Sequence, residues 1–359
     1  MPSQVITVLG ARRIQRVAAG GNGQSSISIF TSTGVQTLTT QEYEEAVVNL
    51  SPDIAIPLSD LTEMTKTPTT KRAMRMAERT EDWVKGWLDN DDLGAALTAS
   101  GTATFAPVLP VSYSMQWEYL EHLSEDYADS IKGLALYSVD VLPDLREHKT
   151  LLPLPRLSLD APATPHQILR QVSLGVDVFL LPFLNAISDA GIALSFSFPP
   201  PEPDTIAAVE GRRSLPLGID LWSPEHKAAV APLQDGCGCY ACTAHHRAYI
   251  HHLLQAREML GWTLLQIHNH AVLEAFFAGV RAALAEGEAV FETLRDRFGA
   301  VYEPELPEGT GSRPRARGYH FKSEGGEEKI NKAPWGKLNG NGSTKDTADV
   351  AMADTPVAP

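Results

Sequence analysis

Cysteine is scarce in this chain of 359 residues, and its three cysteines all stand within one short stretch. They are Cys237, Cys239 and Cys242. Three cysteines so close together make a poor disulfide framework, whereas their thiolates can converge on a single metal ion. The sequence therefore predicts a metal site and a reducing compartment.

Long apolar runs are also missing from the sequence. No stretch approaches the roughly 18 apolar residues that a membrane span requires. The amino terminus, MPSQVITVLGARRIQRV, has no apolar core followed by a small-residue cleavage site, so no secretory signal is predicted. We expect the chain to reside in the cytoplasm.

Positive charge is in short supply, because 44 acidic residues outnumber 30 basic ones and the formal net charge is −14. An acidic surface repels phosphate, so this chain alone is predicted to bind nucleic acid poorly unless its basic residues cluster. One short basic run, Arg313, Arg315 and Arg317, lies in the polar carboxyl-terminal part. A solvated linker is the simplest interpretation of this run, and an RNA or partner contact is the alternative.

The sequence does contain a series of short apolar segments separated by amphipathic ones. Strands are predicted at residues 27–30, 53–58, 105–111, 133–139, 155–159, 176–182 and 193–198, and helices between them at 40–49, 69–88, 115–129 and 165–174. We expect Thr40 to cap the first of these helices and Pro165 to stand in the first turn of the last. Buried strands that alternate with helices indicate parallel β/α units, and their number favours an α/β barrel. No GxGxxG turn follows the first strand, which disfavours a dinucleotide-binding fold.

The last third of the chain changes in character. Two long helices are predicted between residues 247 and 298, and the second should bury Val272, Leu273, Phe276, Phe277, Val280 and Leu284. Beyond residue 304 the chain is too polar to offset its ordering entropy and is predicted to be disordered. The expected organisation is an amino-terminal segment 1–26, a barrel 27–304 with a metal-binding subdomain at about 235–298, and a tail 305–359.

The cysteine motif, Cys237-Gly-Cys239-Tyr-Ala-Cys242, carries the sharpest chemical signal. Zinc in a structural site prefers a closed tetrahedron of sulfur and nitrogen ligands, so a fourth ligand is needed. His245, at Cys-x-x-His spacing, and His268, reached after a helix turns back, both suit this position. Four protein ligands leave no open position, so the metal is expected to stabilise the fold and to do no chemistry.

The tract CGCYACTAHHRAYIHHLL at residues 237–254, followed by IHN at 267–269, resembles the zinc segment of the tRNA-guanine transglycosylase (queuine tRNA-ribosyltransferase) family. The family pattern is CxCxxC, then RAYxHHL, then an HN pair whose histidine completes the site. The resemblance implies one structural zinc ion bound by Cys237, Cys239, Cys242 and His268. It leaves His245 outside the ligand set. It also implies an α/β fold of the TIM-barrel-like (β/α)8 type, incomplete at its amino terminus, with a zinc-binding subdomain near the carboxyl end.

Family enzymes use an aspartate that attacks the tRNA ribose, placed after a glycine-hydrophobic-aspartate-hydrophobic-phenylalanine stretch. The matching stretch is GVDVFLL at residues 175–181, which puts Leu180 in the place of the nucleophile. Leucine has no lone pair to offer and cannot form the covalent bond. A second match, GIDLWS at residues 218–223, has Ser223 there, and Ser59 stands in place of a base-recognising aspartate.

A chain that keeps the zinc ligands and lacks the nucleophile resembles a non-catalytic subunit of this family. The resemblance implies a heterodimer with a catalytic queuine tRNA-ribosyltransferase subunit, contact with tRNA through the complex, and support of the exchange of the wobble guanine for queuine. It also implies a location in the cytoplasm or at the mitochondrial outer membrane. Candidates for the dimer surface, because aromatic and arginine side chains commonly anchor interfaces, are Arg247, Tyr249, His252 and Arg257.

Two other interpretations stay open. The chain is an active transglycosylase if its nucleophile lies elsewhere, with Asp177, Asp189 and Asp220 as the candidates. It is a zinc-stabilised scaffold, unrelated to tRNA modification, if the resemblance is confined to the fold. Exchange assays on aspartate variants test the first alternative, and co-purification with a transglycosylase tests the second.

Overall fold

The computed structural model describes residues 5–11, 21–31, 34–61, 67–202, 214–312 and 314 of the chain. The basic run at Arg313, Arg315 and Arg317 lies outside the described residues, as does most of the predicted tail. Within the described part, no helix is both long enough and apolar enough to cross a membrane. The expected location in the cytoplasm or at a mitochondrial surface stays a prediction.

The strands of the described residues are short. In chain order they are β1 (Val8–Leu9), β2 (Ser26–Thr31), β3 (Gly34–Thr39), β4 (Ile54–Ala55), β5 (Ala103–Val108), β6 (Gly133–Leu136), β7 (Arg156–Ser158), β8 (Val178–Phe179), β9 (Ile192–Leu194) and β10 (Gly218–Asp220). Six of them form one sheet in the order β1-β4-β5-β6-β7-β8, with every neighbouring pair parallel. This parallel half-barrel confirms the predicted α/β class.

Helices connect and cover the strands. In chain order they are α1 (Thr40–Leu50), α2 (Thr70–Leu88), α3 (Asp91–Ser100), α4 (Trp117–Glu125), α5 (Pro165–Ser173), α6 (Phe183–Asp189), α7 (Tyr240–Ala244), α8 (Arg247–Gln255), α9 (Met259–Glu286) and α10 (Glu288–Val301). Pro165 stands in the first turn of α5, as predicted. The cap of α1 is Thr39 and not Thr40, because Thr39 and Glu42 satisfy each other's backbone N–H groups in a capping box.

Two predicted barrel strands take other places. The segment predicted at 27–30 forms β2, which pairs antiparallel with β3 in a separate hairpin and packs Ile27 against α1 and α2 residues. The first strand of the parallel sheet is instead β1, within the segment expected to precede the barrel. The segment predicted at 193–198 begins with β9, which pairs antiparallel with β10 outside the main sheet. Apolar periodicity could not reveal these differences, since it does not encode which strands pair.

Three helices, and not the predicted two, occupy the described residues from 247 to 298. Arg257 adopts a left-handed φ of 56° between α8 and α9, and Gly287, at φ 134°, separates α9 from α10. Most of the residues predicted on the inner face of α9 are buried, but Leu284 is 43% exposed and Ala283 takes the inward position beside it. The buried face of α9 therefore ends at Ala283, one residue before the predicted position.

The chain after α10 stays in contact with the fold beyond the predicted boundary at residue 304. Leu306 packs against the cluster formed around Phe276 and Phe298. Thr310 donates both its backbone N–H and its hydroxyl to Asp220 Oδ2, at 3.2 and 2.7 Å. We name residues 305–312 the carboxyl-terminal strap. These contacts lie beyond residue 304, where the tail was predicted to begin.

Candidate metal centre and the carboxyl end of the sheet

The predicted metal ligands converge on one point. One ligand atom from each of Cys237, Cys239, Cys242 and His268 lies within 4.8 Å of the other three. His268 Nδ1 is 3.7, 3.6 and 3.4 Å from the sulfur atoms of the cysteines, in chain order. A tetrahedral zinc with Zn–S near 2.3 Å and Zn–N near 2.05 Å requires a nitrogen–sulfur separation of about 3.6 Å. The four residues can therefore hold a metal ion.

Local backbone geometry presents the three thiols. Gly236, at φ 76°, turns the chain before Cys237. Cys239 caps α7, and Cys242 follows in its first turn, with the Cys242 N–H donated to the Cys239 carbonyl at 3.1 Å. The guanidinium of Arg247 holds the preceding loop by donating to the carbonyls of Pro232 and Leu233. Three thiols thus face one side of a tight turn.

His268 is oriented by strand β9. Its Nε2–H donates to the Leu194 carbonyl at 2.8 Å, so Nδ1 carries the lone pair that faces the sulfur atoms. The side chain of the next residue, Asn269, accepts the Leu194 N–H and donates to the Ile192 carbonyl. Burial lowers the pKa of His268, which favours the neutral, metal-binding form. The paired residues His268 and Asn269 therefore fasten α9 to β9 beside the metal ligands.

The electrostatics of the thiols also suit a cation. Burial raises the pKa of the Cys242 thiol to about 12 and raises the pKa of Cys239 as well. Three adjacent thiolates would repel one another, whereas a bound divalent cation stabilises them in the deprotonated form. The donor set and its spacing fit a soft or borderline cation such as zinc.

The histidines near the cysteines divide into different roles. His245, the alternative fourth ligand, lies outside the ligand group and stacks on Tyr249 with ring centroids 4.9 Å apart. His251 is buried and donates Nδ1–H to the Leu221 carbonyl at 2.8 Å, whereas His252 is exposed. The structure thus separates two candidates that spacing alone left equal.

Leu180 lies directly after β8, at the carboxyl end of the parallel sheet. Its side chain packs against the interior cluster, which comprises Ile54, Ile56, Phe105, Ala135 and Leu157. The carboxyl end of the strands is where parallel α/β barrels carry their catalytic groups. At this strand end the chain presents an apolar side chain that belongs to the core.

A buried carboxylate follows β4 at the same end of the sheet. Asp60 is fully buried and accepts Arg72 Nη2 at 2.8 Å and Arg79 Nη1 at 2.7 Å. Its N–H donates to Thr80 Oγ1, and the neighbouring Ser59 is also buried. Sequence reasoning missed this network. The sequence did contain a sign of it, because two arginines seven residues apart on one helix lie on the same side of that helix.

The alternative aspartates lie in three separate places. Asp177 precedes β8, at the opposite end of the sheet from Leu180, and accepts the Arg156 N–H at 2.8 Å. Asp189 ends α6, and its carbonyl accepts the Trp262 indole N–H. Asp220 ends β10 and binds the carboxyl-terminal strap. Ser223 follows in a turn closed by its N–H to the Asp220 carbonyl.

A parallel half-barrel followed by a Cys3His group beside β9 defines a TIM-barrel-like protein with a candidate metal site. The family model described as queuine tRNA-ribosyltransferase matches residues 1–304. The chain therefore belongs to the queuine tRNA-ribosyltransferase family, which confirms the resemblance carried by the cysteine tract.

Curated relatives share one description. The chain is 35% identical, over 93% of its length and 73% of the relative, to a Schizosaccharomyces pombe protein named queuine tRNA-ribosyltransferase accessory subunit 2. Proteins of the same name from Drosophila grimshawi and Drosophila virilis are each 29% identical. These matches cover 82% and 74% of this chain, and 71% and 64% of the relatives.

Proposed function

We propose that this chain is a non-catalytic subunit of a queuine tRNA-ribosyltransferase, which pairs with a catalytic homologue and supports exchange of the wobble guanine of tRNA for queuine. The names of the relatives, accessory subunit 2, support this role. The observation that carries the proposal is Leu180, an apolar side chain packed into the interior cluster at the strand end where the family nucleophile is expected.

The chain's own aspartates support the same conclusion. Asp177 lies at the amino end of its strand, whereas catalytic groups of parallel barrels stand at the carboxyl end. The carboxylate of Asp220 is occupied by the Trp222 N–H and by Thr310. Neither group is placed to attack a ribose bound at the mouth of the sheet, which disfavours a displaced nucleophile.

The proposed role of the metal is structural. Cys237, Cys239, Cys242 and His268 would hold one zinc ion and link the α7 turn to α9. A closed four-ligand site supplies cross-linking of the fold, with no position for a substrate. Asn269 anchors the same helix to β9, so loss of the metal is expected to loosen the contact between the cysteine turn and α9.

A surface beside the metal ligands is proposed to receive the catalytic subunit. Tyr249 stacks on His245, Tyr240 meets the edge of His245, and Tyr240 is 60% exposed. His252, in α8, and Arg257, just after α8, are also exposed, and we include them in the proposed surface. Arg247, predicted as a further anchor, is engaged with loop carbonyls, so we assign it to support of the cysteine turn.

Exchange of labelled guanine in a tRNA with a wobble guanine tests the proposal. The chain is assayed alone, then mixed with the catalytic subunit from the same organism. We expect no exchange by the chain alone and exchange by the mixture. The matched control is the catalytic subunit alone.

Robust exchange by the chain alone would overturn the proposal. The variants Asp177→Asn, Asp189→Asn and Asp220→Asn would then identify the nucleophile, since its loss should abolish turnover. Failure of the two chains to co-purify would instead favour the scaffold interpretation.

A further inference from the structure

The amino-terminal half of α2 concentrates positive charge in a chain whose net charge is −14. Residues 70–79 contain one acidic residue, Glu78, and four basic ones, Lys71, Arg72, Arg75 and Arg79. The basic residues recur at three- and four-residue spacing, which places them along one side of the helix. The local charge is thus opposite to that of the molecule as a whole.

Two of these cations are used internally and two are not. Arg72 and Arg79 bind the buried carboxylate of Asp60. Lys71 and Arg75 are exposed, and neither has an ion-pair partner among the residues that the structure describes. Asp60 therefore fixes the helix to the sheet while the free cations face outward.

The position of Lys71 adds to the positive end of the helix dipole. α2 begins at Thr70 with Thr69 as its cap, and its first turn contains no acidic residue. A cation beside a helix amino terminus is unfavourable by itself and is compensated by a nearby anion. Arg72 has Asp60 as its compensating anion, whereas Lys71 has none in the described part of the chain.

This basic face lies beside the carboxyl end of the parallel sheet. Asp60, which both internal arginines bind, comes shortly after β4. Trp117 opens α4, which follows β5, so it belongs to the same end of the molecule, and it is 52% exposed. Met74, between the two free cations, is 49% exposed. Cations combined with exposed apolar and aromatic side chains are typical of RNA-binding surfaces, where bases stack beside the bound backbone.

We propose that the exposed face of α2 formed by Lys71, Met74 and Arg75 binds backbone phosphates of an RNA. This inference rests on the proposed function, in which tRNA is bound by the complex, and it assigns a contact surface on this chain. It also explains how so acidic a protein can contact RNA, since binding needs only a local cluster of cations.

The test compares two double variants with the same change of charge. Lys71→Glu/Arg75→Glu reverses the proposed surface, and Lys149→Glu/Arg281→Glu reverses two exposed cations elsewhere. Lys149 adjoins Thr150, which bonds to Ser124 in the last turn of α4, at the opposite end of the sheet. Lys71 lies in the first turn of α2, where an acidic residue is favourable, and Arg75 is exposed, so the test variant is expected to fold. Thermal unfolding of each purified variant verifies this.

Binding of a transcript of a tRNA with a wobble guanine is measured for each full-length chain over a range of salt concentrations. We expect the Lys71→Glu/Arg75→Glu variant to bind roughly tenfold more weakly at 0.1 M salt, with the slope of log K against log salt reduced by about 1.5. The control variant should keep a binding constant and slope close to those of the unchanged chain.

Three outcomes overturn the proposal. If both variants bind the transcript as tightly as the unchanged chain, the phosphate contacts lie elsewhere. The proposed function is then still supported if the unchanged chain, mixed with its catalytic subunit, performs exchange. Equal weakening by both variants shows a diffuse charge effect. Loss of co-assembly with the catalytic subunit, with RNA binding unchanged, makes this face a protein interface. If the mixture performs no exchange at all, the proposed function fails, whatever the binding result.

Discussion

At the scale of single residues, the metal centre depends on a choice between two histidines. His245 and His268 both suit the fourth ligand position by spacing, yet only His268 points Nδ1 at the three sulfur atoms. Its other nitrogen is committed to the Leu194 carbonyl, which fixes both the tautomer and the ring orientation. The hydrogen bond to β9 therefore determines which histidine can act as the ligand.

We predict that His268→Ala abolishes stoichiometric zinc binding. When the free ion is at a concentration a thousandfold above its dissociation constant, loss of binding lowers the free energy of unfolding by about 4 kcal/mol. In a domain of this size class that corresponds to a fall in the melting temperature of roughly 10 °C. Metal analysis of the purified protein and thermal unfolding measure the two effects.

His245→Ala is the matched control. His245 stacks on Tyr249 and lies outside the ligand group, so this variant should retain one ion per chain. Loss of the ring contact is expected to change stability by no more than about 1 kcal/mol. Loss of zinc from the His245 variant, with retention in the His268 variant, would show that the ligands are assigned wrongly.

At the scale of secondary-structure elements, one buried carboxylate attaches α2 to the sheet. Asp60 is bound by Arg72, Arg79 and the amide of Asn22, so three segments meet at its two oxygens. A buried ion pair adds little net stability compared with an apolar replacement, but removing one partner leaves the other charges uncompensated. The position of α2 should therefore depend strongly on this residue.

We predict that Asp60→Asn lowers the free energy of unfolding by about 3 kcal/mol, because two arginines then face a neutral amide in a buried site. Asp140→Asn is the control, since Asp140 pairs with Arg170 where both side chains are largely exposed. That variant should lose less than about 1 kcal/mol. Urea unfolding of both proteins compares the two losses, and equal losses would contradict the prediction.

At the scale of the whole molecule, the carboxyl-terminal strap joins distant parts of the chain. Thr310 is bonded to Asp220, ninety residues earlier, and Leu306 packs on the cluster that includes α9 and α10 residues. Close approach is possible because the strap carries glycine where a side chain would collide. A Cβ atom at Gly309 would lie 2.2 Å from the Ala190 carbonyl oxygen.

We predict that Gly309→Ala displaces the strap and costs about 1–3 kcal/mol, since a backbone carbonyl cannot move aside as a flexible side chain can. Gly299→Ala, in α10, meets open space and should stabilise the protein by about 0.5–1 kcal/mol. Limited proteolysis should cut the Gly309 variant within residues 305–312 faster than the unchanged chain. Equal cleavage rates would show that the strap does not depend on this contact.

The sequence by itself determined the features that rest on local spacing. The three cysteines of one turn, the apolar strand segments, Pro165 in the first turn of α5 and the leucine at residue 180 are all readable from short stretches. The parallel α/β class follows from the same source, because alternation of buried strands with helices leaves few other arrangements. The family was equally accessible, since its zinc segment is contiguous.

Only the tertiary structure decided which distant groups meet. It placed β1 rather than β2 at the edge of the parallel sheet, paired β9 with β10, and selected His268 through a carbonyl on another element. It also placed Asp60 between two arginines of α2. These outcomes depend on the free energy of packing between elements that are far apart in the chain. No local period or motif in the sequence of either element reports that free energy.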